Sequence, residues 1–169
     1  MEFARAEKNK IPLPKTFKLG VMIEVPSLLW QLETLFEHID FAAVGTNDLL
    51  QYMYAADSRS SALQDRYDSL SPAFLRGLKR ISTQAKQADV EVSVCGEMAG
   101  RPLEAMTLMA LGYDVFSMAH LNLGPVKKML LSLDVSKTSA YLDRLLAGRT
   151  TGSLREKLMS FAKDRNVEL

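Results

Sequence analysis

The chain has 169 residues, 47% hydrophobic and 24% charged, which is typical of a globular protein and excludes a disordered tail, a fibrous repeat or two full-sized domains. With 21 basic and 20 acidic residues, the formal net charge is +1, so no global basic excess indicates a nucleic acid or an anionic membrane as partner. One cysteine excludes an internal disulfide, and no apolar run approaches the ~18 residues of a membrane span, so we expect a cytoplasmic protein.

Four units of strand, loop and helix follow one another along the chain. Short apolar runs predict strands at 19–25, 41–45, 90–96 and 114–119. Apolar residues at helical spacing predict helices at 27–38, 72–88, 101–111 and 124–133. Because buried strands alternate with amphipathic helices, the pattern predicts an α/β fold with a parallel sheet and the helices outside it.

Individual residues predict where helices begin or end and where turns and loops lie. Ser27 is predicted to cap the first helix, and Gly112 to end the third. The polar residues 46–48 predict a turn, and the Asp, Ser and Gln clusters of 49–71 predict a long loop.

The chain divides into three segments by pattern. Residues 1–18 form a basic lead-in, and the α/β units occupy residues 19–133. Residues 134–169 predict one or two further helices that cover the core or dock a partner.

Polar side chains stand at the end of each predicted strand. They are Glu24 at the first, Asn47 and Asp48 at the second, Cys95 and Glu97 at the third, and Ser117 with the nearby His120 at the fourth. Ligands and catalytic groups of parallel α/β folds lie at the carboxyl ends of the strands. Four such groups at one edge of the sheet predict a functional site there.

The carboxylates of Glu24 and Asp48 are the candidate metal ligands. Each has a plainer explanation, because a strand end often reaches solvent and an Asn-Asp pair often forms a turn. Two carboxylates, completed by oxygens of a ligand and water, are nevertheless how Mg²⁺ is usually held in phosphate-processing sites. Asn47 can bind a ligand oxygen through its amide, and no cluster of His and Cys supports zinc.

Cys95 is the candidate catalytic residue. A lone cysteine is often only a small core residue, but this one stands at a strand end beside Gly96. Since a thiol with the reference pKa of ~8.5 is mostly protonated near pH 7, Cys95 can serve as a proton donor without being a nucleophile.

Five motifs, in order, resemble one known family. They are GVMIEVPSLL (20–29), DFAAVGTNDLLQY (40–52), YDSLSPAFLR (67–76), VCGEMAGRP (94–102) and ALGYDVFSM (110–118). Together they resemble the C-terminal half of the phosphoenolpyruvate-binding barrel of Enzyme I, the phosphoenolpyruvate–protein phosphotransferase of the bacterial phosphotransferase system. EVPSLL, CGEMAG and GPVKKMLLSLD are most similar to its nitrogen-related branch.

The resemblance implies a fold and a function. The fold is strands five to eight of a TIM (β/α)₈ barrel with their outer helices, followed by C-terminal helices. The implied activity transfers the phosphoryl group of phosphoenolpyruvate to a protein histidine, releases pyruvate, and passes the phosphate to an HPr-like carrier. Family members bind Mg²⁺, and the resemblance further implies a homodimer.

Site roles carry over by position. Glu24 and Asp48 match the Mg²⁺ ligands, Asn47 matches a phosphoenolpyruvate contact, and Cys95 matches the proton donor that converts enolpyruvate to pyruvate. A phosphate-binding arginine of the family aligns with Ser58, and a shift of one residue would bring Arg59 to the ligand instead.

Two alternatives remain beside the phosphotransferase. Pyruvate phosphate dikinase and phosphoenolpyruvate synthase share the barrel motifs. A non-catalytic module of the same fold, dimerising through its apolar helices, is favoured only by Ser58. Because the resemblance covers only half of a barrel, whose full form needs ~250 residues, we expect the chain alone to be inactive and to leave an apolar strand edge exposed.

Overall fold

The computed structural model of the protein describes residues 2–56, 67–148 and 152–169. Its described residues contain a four-stranded sheet in the order β1-β2-β3-β4, with every neighbouring pair parallel. The strands are β1 (Gly20–Ile23), β2 (Phe41–Gly45), β3 (Glu91–Cys95) and β4 (Val115–Phe116). The predicted α/β fold with a parallel sheet is therefore confirmed.

Helices precede, connect and follow the strands. Those in the described residues are α1 (Glu2–Lys8), α2 (Leu32–Phe36), α3 (Thr46–Tyr54), α4 (Pro72–Gln87), α5 (Glu97–Gly100), α6 (Pro102–Ala110), α7 (Leu123–Leu131), α8 (Val135–Ala147) and α9 (Leu154–Asp164), with 3₁₀ helices at Pro26–Trp30 and His120–Asn122. Gly112 follows α6 with a φ of +98°, and its N–H donates to the carbonyl of Met109, so the predicted helix end is confirmed.

The segment after β1 differs from its prediction. Instead of one helix over 27–38, a 3₁₀ helix at Pro26–Trp30 precedes the short α2. The prediction that Ser27 caps a helix is wrong, because Pro26 occupies the first helical position and Val25 precedes it. Proline fits that position, since its missing N–H would be unpaired there in any case.

The segment after β2 also differs. The predicted polar turn at 46–48 is the first turn of α3, which continues through Tyr54 into the predicted loop. The buried Leu49 and the half-buried Met53 are four residues apart, so both side chains pack on the core from one face of α3. This packing outweighs the preference of the polar residues 46–48 for a turn. Residues 57–66 of the predicted loop lie outside the described part.

The two faces of the sheet have different surroundings. Ile23, Val44 and Val94 align across three strands, point to the helices and are fully buried. The alternate residues point to the opposite face, hereafter the open face. There Met22, Ala43, Ser93 and Val115 form one row across the four strands.

The core lies between the sheet and the helices. Its largest fully buried side chains include Phe74 and Leu78 of α4 and Met106 and Leu108 of α6. The buried Tyr113 packs there and donates from its hydroxyl to the carbonyl of Leu78 at 2.7 Å. Within the part of the chain that the structure describes, the helix layer therefore packs on one face of the sheet.

Helix α9 is joined to the core by an arginine. Arg155 donates from Nε and Nη2 to both carboxylate oxygens of Asp68, at 3.0 and 2.7 Å. Its Nη2 also donates at 2.8 Å to Glu104 of α6, a residue only 3% exposed. Burial alone would raise the pKa of Asp68, but the hydrogen bonds from Arg155 and the Leu70 N–H lower it below its usual value.

The lead-in forms α1 and an extended stretch that reaches β1. No side chain of residues 2–19 is buried, and the rings of Phe3 and Phe17 contact each other edge to face at 5.1 Å. In the described residues, no helix is long and apolar enough to cross a membrane.

Candidate functional site

Three residues form a row at the carboxyl end of the open face. Gly45 aligns with Cys95 in the strand register, and Glu24 follows Ile23, which aligns with Val44. A Cβ placed on Gly45 would lie 3.2 Å from both Cβ and Oε2 of Glu24, so the Glu24 side chain lies across the glycine. Because Gly45 has no side chain, the Glu24 side chain and the Met22 sulfur can lie over it, next to Cys95.

The start of α3 is bound to the end of β3. Thr46 donates from its hydroxyl to the carbonyl of Cys95 at 2.7 Å. The amide oxygen of Asn47 accepts a hydrogen bond from the Glu97 N–H at 3.2 Å. These contacts place Asn47 and Asp48, in the first turn of α3, beside the row.

Gly96 makes this close approach possible. It has a φ of +98°, which L side chains rarely adopt, and a Cβ there would lie 2.5 Å from the Thr46 hydroxyl oxygen. The sequence indicates Gly96 only as the neighbour of Cys95, and it does not indicate Thr46. The hydroxyl directly after an apolar strand was the available signal for Thr46, but its partner is 49 positions away.

Cys95 lies half-buried within the site. Its sulfur is 3.3 Å from the carbonyl oxygen of Val44 and 3.8 Å from the sulfur of Met22. Burial raises the pKa of the Cys95 thiol, and the carboxylates of Glu24 and Asp48 raise it further. The thiol is therefore held protonated at neutral pH, as a proton donor requires, and both carboxylates lie near enough to act on it.

The donor set fits a hard divalent cation. Glu24 is partly buried and Asp48 is exposed, and both carboxylates face the Cys95 end of the sheet. The described residues hold no group of three or more His, Cys, Asp or Glu side chains that could bind a metal by themselves. Two carboxylates suit Mg²⁺, which keeps several waters and usually takes substrate phosphates as further ligands.

Of the other predicted residues, Ser58 and Arg59 fall in 57–66, outside the described residues. Ser117 continues beyond β4, where its N–H donates to the Val94 carbonyl, and its side chain is exposed. His120 begins the 3₁₀ helix that follows and is also exposed.

The two sides of the segment 57–66 are tied together. The rings of Tyr54 and Tyr67 stack with centroids 4.9 Å apart, and the Tyr54 hydroxyl lies 2.7 Å from the Ser71 hydroxyl. Asp68 is held by Arg155, as described above. These contacts hold Tyr54 close to the residues that follow position 66.

Comparison with known proteins identifies a family and relatives. Residues 2–135 match the family described as PEP-utilising enzyme, PEP-binding domain. The chain is 36% identical over 157 residues to a Salmonella typhimurium protein named phosphoenolpyruvate-dependent phosphotransferase system, covering 93% of this chain and 21% of that one. It is 32% identical to the phosphoenolpyruvate-protein phosphotransferase of Mycoplasma pneumoniae, covering 90% of this chain and 27% of the other.

A third relative has a different name and a similar percentage of identical residues. The multiphosphoryl transfer protein 1 of Escherichia coli K12 is 31% identical over 153 residues, covering 90% of this chain and 18% of that protein. The chain thus spans roughly a fifth to a quarter of the length of these relatives.

Proposed function

Because the chain belongs to the family of PEP-binding domains of PEP-utilising enzymes, we propose that it forms part of the phosphoenolpyruvate site of a phosphoenolpyruvate–protein phosphotransferase. One observation carries the proposal: the carboxylates of Glu24 and Asp48 both lie near enough to Cys95 to raise the pKa of its thiol, and the Glu24 side chain lies over Gly45, which aligns with Cys95. A protonated thiol beside two carboxylates suits a reaction that needs a cation and a proton donor together.

The carboxylates serve substrate binding. Glu24 and Asp48 are the residues that would hold Mg²⁺, which when bound would neutralise charge on the phosphate oxygens. Asn47 and Asp48 orient the substrate from the start of α3, and Arg59 contributes a guanidinium to the phosphate. The Asn47 amide already has its oxygen engaged by Glu97, which leaves its NH₂ group to donate to a ligand.

Cys95 supplies the proton of the last step. Transfer of the phosphoryl group to a protein histidine leaves the enolate of pyruvate, whose C3 needs one proton. The thiol donates that proton as the C3–H bond forms, and the resulting thiolate regains a proton from water. The raised pKa of Cys95 favours the neutral thiol before the reaction and makes the thiolate short-lived after it.

The proposal extends to the fold, the cellular location and the partners of the parent enzyme. Residues 19–133 form the half-barrel, strands five to eight of a (β/α)₈ barrel, with 1–18 as lead-in and 134–169 as helical extension. The parent enzyme is cytoplasmic, belongs to the nitrogen-related branch, passes phosphate to an HPr-like carrier and forms a homodimer.

The names of the relatives bear on the alternatives. The three relatives above carry the names of phosphotransferases or of a multiphosphoryl transfer protein. They favour the phosphotransferase over the dikinase and the phosphoenolpyruvate synthase. No observation in the described residues favours a non-catalytic module.

A chimera tests the proposal. The matched segment of the Mycoplasma pneumoniae phosphotransferase is replaced by this chain, and phosphohistidine and pyruvate are measured separately. Cys95→Ala should slow pyruvate formation by ~10²–10⁴-fold, which is the usual contribution of a positioned acid. It should leave phosphohistidine formation unchanged. Ser93→Ala, on the same face of β3, is the matched control. A folded chimera without phosphohistidine, or a Cys95→Ala chimera with unchanged pyruvate formation, contradicts the proposal.

A further inference from the structure

Met22 reaches the candidate proton donor from a different layer of the sheet. Met22 and Glu24 are two positions apart at the end of β1, so both side chains point to the open face. In the strand register Met22 aligns with Ala43, whereas Cys95 aligns with Gly45, two residues nearer the carboxyl end. The sulfurs of Met22 and Cys95 nevertheless lie only 3.8 Å apart. The Met22 side chain therefore extends toward the carboxyl end and across β2 to the thiol.

Gly45 is the position over which this side chain passes. A Cβ on Gly45 would lie 3.3 Å from the Met22 sulfur and 3.2 Å from the carboxylate oxygen Oε2 of Glu24. Both contacts would be tight, so a larger residue at this position would push one of the two side chains aside. Methionine suits the crossing, because its unbranched chain has three rotatable bonds and can span the ~4.8 Å between neighbouring strands. The glycine and the methionine together bring a thioether to the Cys95 thiol.

The Cys95 thiol has two acceptors within reach. Its sulfur is 3.3 Å from the carbonyl oxygen of Val44 and 3.8 Å from the sulfur of Met22. Because a thiol has one proton, it can be directed fully at only one of them. A proton directed at Val44 points to the backbone of β2, whereas a proton directed at Met22 points over Gly45, where the Glu24 carboxylate also lies. The second orientation faces the substrate of the proposed function.

We propose that Met22 is a positioning residue for Cys95: its sulfur turns the thiol proton away from the backbone and holds it over Gly45, directed at C3 of the enolate. The inference rests on the proposed function, in which Cys95 protonates that carbon. A thioether is a weak acceptor, so it orients the proton without retaining it. In the step itself, the S–H electron pair stays on sulfur, and the electron pair of the enolate double bond forms the new C3–H bond.

A carboxylate would serve this purpose less well than a thioether. Glu24 and Asp48 are the charged acceptors that lie near the thiol. Hydrogen bonds to ionised acceptors are the stronger ones, so a carboxylate would compete with the enolate for the proton. In the proposed function both carboxylates bind the cation, which leaves the Met22 sulfur to orient the thiol on the substrate side.

Met22→Leu in the chimera with the Mycoplasma pneumoniae phosphotransferase tests the positioning role. Leucine keeps the apolar volume, a change that packed sites tolerate, but it has no sulfur to orient the thiol. Pyruvate formation should slow by about 10–100-fold, since misplacing a reacting group by ~1 Å has an effect of that size. Phosphohistidine formation should stay unchanged, because Met22 acts only on the proton. Met109→Leu, the same change on α6 in the helix layer, is the control and should alter neither rate.

A double substitution separates positioning from a merely structural effect. If Met22 acts through the thiol, adding Met22→Leu to Cys95→Ala should slow pyruvate formation no further than Cys95→Ala alone. Further slowing in the double variant overturns the inference. So does a Met22→Leu chimera with unchanged pyruvate formation. When Cys95→Ala slows pyruvate formation and Met22→Leu does not, the proposed function stands and this inference alone fails.

Raman spectroscopy of the 169-residue chain tests the sulfur contact without turnover. Cys95 is the single cysteine of the sequence, so the S–H stretching band reports this thiol alone. Met22→Leu leaves the thiol to the Val44 carbonyl, a stronger acceptor than a thioether, so the band should move to lower frequency. Met109→Leu should leave the band in place. A band that Met22→Leu does not move overturns the inference.

Discussion

Gly96 brings the end of β3 against α3, and its conformation leaves no room for a side chain. Gly96→Ala should lower the free energy of unfolding by about 2 kcal/mol, because alanine is strained at a φ of +98° and its Cβ would meet the Thr46 hydroxyl. Urea unfolding measures the loss. Gly124→Ala is the control, since a Cβ on Gly124 has nothing within 4 Å, and it should be neutral or stabilising by up to ~1 kcal/mol. Equal effects of the two substitutions would contradict this account of Gly96.

Cys95 should titrate above the usual range of a thiol. The causes are burial, then Glu24, then Asp48. Glu24→Gln removes a negative charge that opposes thiolate formation, so the pKa of Cys95 should fall toward its ordinary value. The pH dependence of alkylation by iodoacetamide gives the midpoint in each protein. The control is Glu37→Gln, at an exposed glutamate after α2, which should leave that midpoint unchanged. A midpoint that Glu24→Gln does not change would contradict the electrostatic coupling of Glu24 to Cys95.

The site residues differ in how far the sequence predicts them. Glu24, Asp48 and Cys95 stand at the ends of apolar strands. Because parallel strands end at one edge of the sheet, the order of the elements along the chain predicts that these residues lie close together. The hydrogen bond of Thr46 and the approach at Gly96 depend on how α3 turns back on β3. That geometry is tertiary, and no local pattern encodes it.

Helix α9 depends on Arg155 for its attachment. Arg155→Ala should lower the free energy of unfolding by about 2–3 kcal/mol, because the buried Glu104 loses its cation and Asp68 loses a bidentate partner. Lys163→Ala, an exposed position of the same helix, should change stability by no more than ~0.5 kcal/mol. Adding Glu104→Gln to Arg155→Ala should recover part of the loss. A loss the same with and without Glu104→Gln would show that the buried charge is not its cause.

Helices and strands are predictable where the spacing of their apolar residues is clear. The predicted 41–45 strand is observed as Phe41–Gly45, and the predicted 72–88 helix as Pro72–Gln87, because both have unambiguous apolar periodicity. The start of α3 was missed because Thr46, Asn47 and Asp48 are turn formers in isolation. Their helical state comes from contacts with β3 and the core, so tertiary packing overrides local propensity.

Among the described residues, helices cover one face of the sheet and leave the other face open. The parallel α/β architecture is predictable from alternating elements, and residues 2–135 match the PEP-binding domain family. The sequence pattern alone does not reveal which face of the sheet is open. A strand covered on both faces and a strand covered on one face would each look like a short apolar run here. The register in the structure separates the faces and shows that the catalytic candidates stand at the rim of the open one.

The central claim is that Glu24, Asp48 and Cys95 surround one cation and phosphoenolpyruvate site. Nuclear magnetic resonance of the ¹⁵N-labelled chain tests it most directly, with Mn²⁺ as a paramagnetic substitute for Mg²⁺ that reveals even weak binding. The amides of Gly45, Asp48 and Cys95 should broaden first, phosphoenolpyruvate should strengthen the effect, and the combined substitutions Glu24→Gln and Asp48→Asn should abolish it. Broadening centred instead on the acidic groove at the opposite ends of the strands, lined by Asp89, Glu91 and Asp114, would contradict the claim. So would broadening at the rim that survives both substitutions.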